Sequence, residues 1–283
     1  MTTAFVLSGG GSLGAVQVGM LQALTERDIR PDLLVGTSAG ALNAAFLAGH
    51  GTGRSALDEL EQSWSGVRRR DVFPLAPPWQ LLARGGSRSA LCSDRGLRKL
   101  LRGHLLFDRL EDAPIPVHVV GTDLLSGEEV LLSCGDALSA VLASTAIPGV
   151  LPPVQREGLT LIDGGLADNT AISQAVELGA DRVFVLPTGY ACALPEPPRG
   201  PLAVALQAIS LLIEQRLIAD VALYGDRVDL TVIPPLCPLT ISAIDFGHAR
   251  ELIHRAYRSA GAWLDSTSSS LAHQERFLAL HGH

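Results

Sequence analysis

Cysteine is scarce in this chain. Cys92, Cys134, Cys192 and Cys237 are the only four in 283 residues, and none forms a Cys-x-x-Cys pair. That spacing argues against a disulfide framework or a zinc ribbon and leaves thiols of a reducing compartment as the plain reading. Positive charge is also short. Lysine and arginine total 22 against 29 aspartates and glutamates, a net charge of −7. A dedicated nucleic-acid binder needs a basic face to neutralise phosphates, so that class is set aside. Long apolar runs are missing too. The best candidate, Pro201 to Gly225, is interrupted by Glu214, Arg216 and Asp220. Its uncharged part falls short of the roughly 20 residues that a membrane-spanning helix requires. The first residues, Met1 to Gly11, lack the basic region of a leader peptide, and the apolar run Ala4–Leu7 is one strand long. The expectation is a cytoplasmic protein.

What is present is apolar content and glycine. Hydrophobic residues make up 47% and charged residues 18%, enough apolar surface to build a core, which excludes a disordered chain. Glycine occurs 29 times, where average usage of about 7% would give roughly 20.

Strand-like and helix-like segments alternate. Ala4–Leu7, Asp32–Val35, Val117–Val120, Val130–Leu132, Leu159–Ile162, Val183–Leu186 and Leu230–Ile233 read as strands. Ala15–Glu26, Ala41–Ala48, Ala137–Ala143, Ile172–Leu178, Leu202–Leu223 and Arg250–Leu264 read as helices. Such alternation predicts an α/β fold of three layers, α/β/α, with a mainly parallel central sheet, as a single domain over 1–283. Two stretches break the rhythm. Residues 64–92 carry Arg68, Arg69, Arg70, Arg84 and Arg88 against the single acid Asp71, with Trp64, Trp79, Pro74, Pro77 and Pro78 among them. This reads as an excursion off the sheet, either a solvated loop or a cap facing an anionic surface. Residues 265–283 open with a Ser/Thr cluster and read as a flexible tail.

Three glycine-bearing motifs carry the chemistry. Gly9-Gly10-Gly11-Ser12-Leu13-Gly14 lies between a strand and a helix, where successive N–H groups can cradle an anion. The same pattern opens dinucleotide-binding folds, but those want an acid at the end of the second strand. This chain has Leu34-Val35-Gly36-Thr37-Ser38 there. Gly36-Thr37-Ser38-Ala39-Gly40 fits Gly-x-Ser-x-Gly, a sharp strand-to-helix turn that lifts a nucleophilic serine above the sheet; a serine there can also act as a helix N-cap. The serine needs a base. None of the eight histidines sits in a glycine-shaped turn after a strand, and His248 is the best of them. Leu161-Ile162-Asp163-Gly164-Gly165 places a carboxylate at a strand end instead, although Asp-Gly also caps ordinary turns.

Together these motifs resemble the patatin-like phospholipase family. Further likeness lies in Ala143-Ser144-Thr145-Ala146-Ile147-Pro148 with Pro152 and Pro153, and in Asp168-Asn169. The resemblance covers residues 4–186, with the motifs in family order. It implies a lipid acyl hydrolase that cleaves carboxylic esters of phospholipids or lysophospholipids through a Ser-Asp dyad and an acyl-enzyme. In that reading Ser38 is the nucleophile and Asp163 the proton acceptor. Gly9, Gly10, Gly11, Ser12 and Gly14 form the oxyanion loop. Gly36 and Gly40 support the elbow, and Gly164 and Gly165 the Asp motif. Neither metal nor cofactor is implied. The partners are a lipid ester and, peripherally, a membrane surface. Many members carry Arg or Lys where this chain has Leu13. An acyltransferase and a non-catalytic lipid-binding relative are the competing readings.

Overall fold

Short runs of Val, Leu, Ile and Ala make strands here because both of their faces are covered. The computed structural model describes residues 1–74, 90–194, 196–266 and Leu278. Strands β1 (Thr3–Leu7), β2 (Leu33–Thr37), β3 (Val117–Asp123), β4 (Glu129–Leu132), β5 (Val154–Arg156), β6 (Leu159–Asp163), β7 (Arg182–Leu186) and β8 (Asp229–Val232) form one sheet. Its order is β5-β6-β3-β2-β1-β7-β8, with β4 also pairing β3. The pairs β1–β2, β1–β7, β2–β3 and β7–β8 are parallel. Every residue of β2 is buried, so it shows no polar alternation, as expected of a strand inside a parallel sheet.

Side chains of β1 feed two cores. Phe5 and Leu7 join one cluster with Val16, Leu21, Ala44 and Leu47 from helices α1 (Ala15–Thr25) and α2 (Ala39–His50). Ala4 and Val6 join the other, with Ile172 and Ala175 of α6 (Ile172–Glu177) and Leu217 and Val221 of α7 (Pro201–Tyr224). Helices α3 (Arg54–Gly66), α4 (Arg95–His104), α5 (Ala137–Ser144) and α8 (Ala249–Ser266) contribute to the first side. The three layers expected from the sequence are therefore present.

One end of the sheet departs from parallel pairing, and that departure builds the site. Strand β3 pairs β2 through Val117–Val120, β4 through Val119–Thr122 and β6 through Gly121–Asp123. A strand has two edges, and Val119 and Val120 serve both β2 and β4, so these flank β3 on opposite sides. Gly121 and Thr122 likewise serve both β4 and β6. Strand β6 therefore shares an edge with β2 and takes over the pairing with β3 where β2 stops. That antiparallel insertion brings Asp163, the last residue of β6, to the carboxyl end of β2.

The structure describes only parts of the two stretches that break the rhythm. Trp64, the first residue of the arginine-rich stretch, is not solvated: it is buried in α3 and belongs to the first core. The rest of the arginine-rich stretch divides, with Arg69–Val72 a single helical turn, while Trp79, Pro77, Pro78, Arg84 and Arg88 lie outside the described residues. Of the tail, α8 runs on to Ser266 and Asp265 pairs with Arg27 at 2.6 Å; beyond it only Leu278 is described.

Candidate active site

The elbow follows from close contact between β1 and α2. A Cβ at Gly40 would collide with the carbonyl oxygen of Leu7, and one at Gly36 would lie 2.6 Å from the Gly40 carbonyl oxygen. Glycine at both positions lets the turn tuck against the strand. Ser38 itself has φ 52° and ψ −118°, a left-handed conformation that costs a non-glycine residue of order 1–3 kcal/mol. The turn is held from outside. The Ser38 N–H donates to Ser144 Oγ at 2.8 Å, and Thr37 Oγ1 donates to the Asp168 carbonyl at 3.2 Å.

Asp163 is gripped on every side. Its N–H donates to the Ala146 carbonyl at 3.0 Å, and its own carbonyl accepts from Thr122 Oγ1 at 2.9 Å. Its carboxylate accepts the Gly165 N–H on Oδ1 at 2.9 Å and Ser38 Oγ on Oδ2 at 2.6 Å. Burial pushes this carboxyl up to about 6, against the pull of the hydrogen bonds from Ser38 and Gly165.

The glycine loop sits beside this pair. The Gly9 N–H is taken by Asn169 Oδ1 at 3.1 Å, and the Gly9 carbonyl accepts Asn169 Nδ2 at 3.2 Å and Thr188 Oγ1 at 2.6 Å. The Ser12 N–H is taken by the Ala243 carbonyl at 2.8 Å. Gly14 is packed so closely on Trp64 and Ala39 that a Cβ would lie 2.8 Å and 2.9 Å from them. Gly9 and Ser12 therefore hold the loop in place and have no N–H to offer, and Gly14 serves packing. Among the described residues the N–H groups of Gly10 and Gly11 carry no intramolecular hydrogen bond. Leu13 is 1% exposed and part of the core, so the position of the family's basic residue does not face the site.

Two cavities meet at Ser38. The inner one is apolar, about 790 Å³ with its mouth, and runs between α2, α3 and α4 past Leu42, Phe46, Leu60, Trp64 and Leu101. The outer one is wider, about 1500 Å³ with its open mouth, and more polar; Gly10, Asp163, Asn169, Thr188 and Glu214 line it together with α7. His248 lines neither. It is half exposed at the start of α8 and pairs with Asp245 at 3.2 Å. Among the described residues no group of three or more His, Cys, Asp or Glu could hold a metal ion. Nor is any described helix long and apolar enough to cross a membrane.

Sequence motifs do not mark Thr188, Gln17, Asn43 and Trp64 as site residues, yet they support the glycine loop from the turn after β7, from α1, from α2 and from α3. The deep burial of a polar side chain is their mark, and that is a property of the fold.

Comparison with known proteins agrees with this architecture. The family model for patatin-like phospholipase matches residues 5–176. The chain belongs to the patatin-like phospholipase family. An uncharacterised NTE-family protein of Mycobacterium tuberculosis is 33% identical over 178 residues, covering 63% of this chain and 46% of the relative. A lysophospholipase, nte1, of Aspergillus terreus is 29% identical over 191 residues, covering 65% of this chain and 12% of the relative. The matched stretch thus spans less than half of these patatin-like relatives. The crystal structure of VipD from Legionella pneumophila superposes over 94% of this chain and 67% of its own, with a TM-score of 0.50 and 18% identity. That likeness concerns the patatin-like fold.

Proposed function

We propose that the protein is a serine carboxylic-ester hydrolase of lipids, with Ser38 and Asp163 as a two-residue catalytic pair. Family membership supports lipid hydrolase activity. The observation that carries the finer reading is the 2.6 Å hydrogen bond from Ser38 Oγ to Asp163 Oδ2, placed beside two unengaged N–H groups.

The proposed reaction runs in two halves. Ser38 Oγ attacks the ester carbonyl carbon as its proton passes to Asp163 Oδ2. The carbonyl oxygen becomes an oxyanion, stabilised by the N–H groups of Gly10 and Gly11 and by the positive end of α2. The tetrahedral intermediate collapses, and Asp163 returns the proton to the leaving alkoxide. Water then attacks the acyl-enzyme as Asp163 takes its proton, the second tetrahedral intermediate collapses with Asp163 returning that proton to Ser38 Oγ, and the carboxylic acid is released. Burial makes Asp163 a stronger base than an ordinary carboxylate, yet it remains weak for a hydroxyl. The oxyanion donors therefore supply much of the acceleration, and loss of one such donor typically costs roughly 3 kcal/mol. An alkoxide leaves more readily than an amine, which favours esters over amides.

The two cavities divide the substrate in this proposal. The apolar inner one takes the acyl chain, and the outer one takes the alcohol portion. The name of the Aspergillus relative points to lysophospholipid as the first substrate to try. Val204, Leu211 and Leu212 on α7 are exposed beside the outer cavity, and they are the proposed contact with a lipid surface.

The test is a panel of nitrophenyl esters of increasing acyl length, with phospholipid and lysophospholipid, run on wild type and Ser38→Ala. Hydrolysis by wild type that vanishes in Ser38→Ala is the expected result. Equal activity of the two proteins refutes the nucleophile assignment.

A further inference from the structure

Helix α1 and helix α2 each carry one amide side chain at a position where packing alone would place an apolar residue. Gln17 and Asn43 are both fully buried. A buried amide is costly unless each donor and acceptor is satisfied. Here every donor is. Gln17 Nε2 donates to the Ser8 carbonyl at 2.8 Å and the Leu186 carbonyl at 2.9 Å. Gln17 Oε1 accepts from Asn43 Nδ2 at 2.7 Å, and the same nitrogen donates to the Gly14 carbonyl at 3.0 Å. Asn43 Oδ1 accepts the Trp64 indole N–H at 2.8 Å.

Only one orientation of both amides satisfies this chain. Two backbone carbonyls at one end can only accept, so Gln17 must present its NH₂ to them. The indole at the other end can only donate, so Asn43 must present its oxygen to it. The middle bond is then determined. Such a chain has no alternative arrangement to slip into.

Its anchor points are telling. Ser8 is where the glycine loop leaves β1, and Gly14 is where it enters α1. Asn43 stands on the helix that follows Ser38. Trp64 walls the inner cavity. The chain thus ties both ends of the loop bearing the free Gly10 and Gly11 N–H groups to the helix bearing the nucleophile, and ties all of them to the cavity wall.

We propose that Gln17 and Asn43 are positioning residues that hold the Gly10 and Gly11 N–H groups at the distance from Ser38 Oγ that the transition state requires, with Trp64 fixing the far end of the chain. This rests on the hydrolase reading above. It goes beyond that reading by assigning a role to three residues outside the three glycine motifs. Misplacement of an oxyanion donor weakens transition-state binding and leaves ground-state binding nearly unchanged. A kcat effect without a KM effect is therefore its signature.

The experiment uses nitrophenyl acetate, with active sites counted by fluorophosphonate titration so that misfolded protein is discounted. Acetate leaves nearly all of the inner cavity empty, so a loss on acetate travels through the network and not through lost acyl contact. Gln17→Met keeps length and helix propensity and removes the amide. Its kcat per titrated site is expected to fall about 10- to 100-fold with KM within about twofold of wild type. Trp64→Phe keeps the aromatic wall and removes only the indole donor, and its kcat on acetate is expected to fall about threefold or more. If Gln17→Met does not fold, Trp64→Phe decides on that threshold alone. Folded variants that miss these losses, on an active wild type, overturn the positioning role and leave the hydrolase reading standing. A wild type that neither hydrolyses acetate nor takes the titrant removes both.

Discussion

Ser38 Oγ and Asp163 Oδ2 lie 2.6 Å apart across 125 positions of sequence, one on the loop after β2 and the other at the end of β6. Strand β6 enters the sheet antiparallel, on the edge of β3 that β2 vacates, and this pairing makes the contact. A fully parallel sheet would carry the carboxylate elsewhere.

If this pair is the catalytic one, Ser38→Ala loses ester hydrolysis to background and no longer takes a fluorophosphonate label. The hydroxyl donates only to Asp163 and its loss leaves a buried carboxyl oxygen without that donor, so the variant should still fold, with a stability loss of about 1–3 kcal/mol. Thermal unfolding and mass-spectrometric detection of the adduct check both parts.

Activity should rise with pH through about 6 and then level off, because Asp163 must be ionised to accept the proton and burial holds it near that value. The same shift has a stability consequence of the opposite sense. In the unfolded chain this carboxyl titrates near 3.8, and in the folded protein near 6. Between those values the folded state binds more protons, so wild-type stability falls as pH rises through that window, by roughly 3 kcal/mol in all. Asp163→Asn escapes that loss. Its melting temperature relative to wild type should climb between pH 4 and pH 6.5 and stay high above, while its activity stays near background. A pH-independent difference in melting temperature contradicts the assignment.

Asn169→Ala removes two of the bonds that hold Gly9 and leaves its buried N–H without a partner, while Thr188 Oγ1 still donates to the Gly9 carbonyl. The expected cost is about 1–3 kcal/mol in stability. The kcat should fall by about tenfold, because the loop is loosened at one end. Stability by denaturant titration and kcat per labelled site separate the two effects.

Gly40→Ala places a methyl group against the Leu7 carbonyl. Backbone on both sides leaves nothing to yield, so destabilisation above about 2 kcal/mol is expected. Gly51→Ala provides the contrast: no atom lies near its added Cβ, and only its left-handed φ of 80° resists. Comparing the two separates steric collision from backbone strain.

Much of the fold was legible in the sequence because central strands are uninterrupted apolar runs and helices repeat every three to four residues. Strand β5 was not, since Val154–Arg156 is too short to carry a pattern. Trp64 was misplaced because its neighbours are polar and basic, and one tryptophan among arginines does not announce a core position. The glycine loop is visible in the sequence as a segment, but which of its N–H groups are taken is not. Which N–H groups of a glycine run are free depends on where distant acceptors fall, and the carbonyl of Ala243 and the amide of Asn169 are far away along the chain.

The sequence alone determined the alternation of strands and helices, the serine turn, and a carboxylate before two glycines, because each rests on local sterics and short-range periodicity. It also placed the chain's excess glycine at its three motifs. Tertiary structure alone decided that Asp163 rather than His248 faces Ser38, that its carboxyl is pushed up to about 6, and that within the glycine loop the N–H groups of Gly10 and Gly11 stay unengaged while those of Gly9 and Ser12 are taken. Those outcomes depend on strand pairing, burial and hydrogen-bond partners drawn from remote parts of the chain.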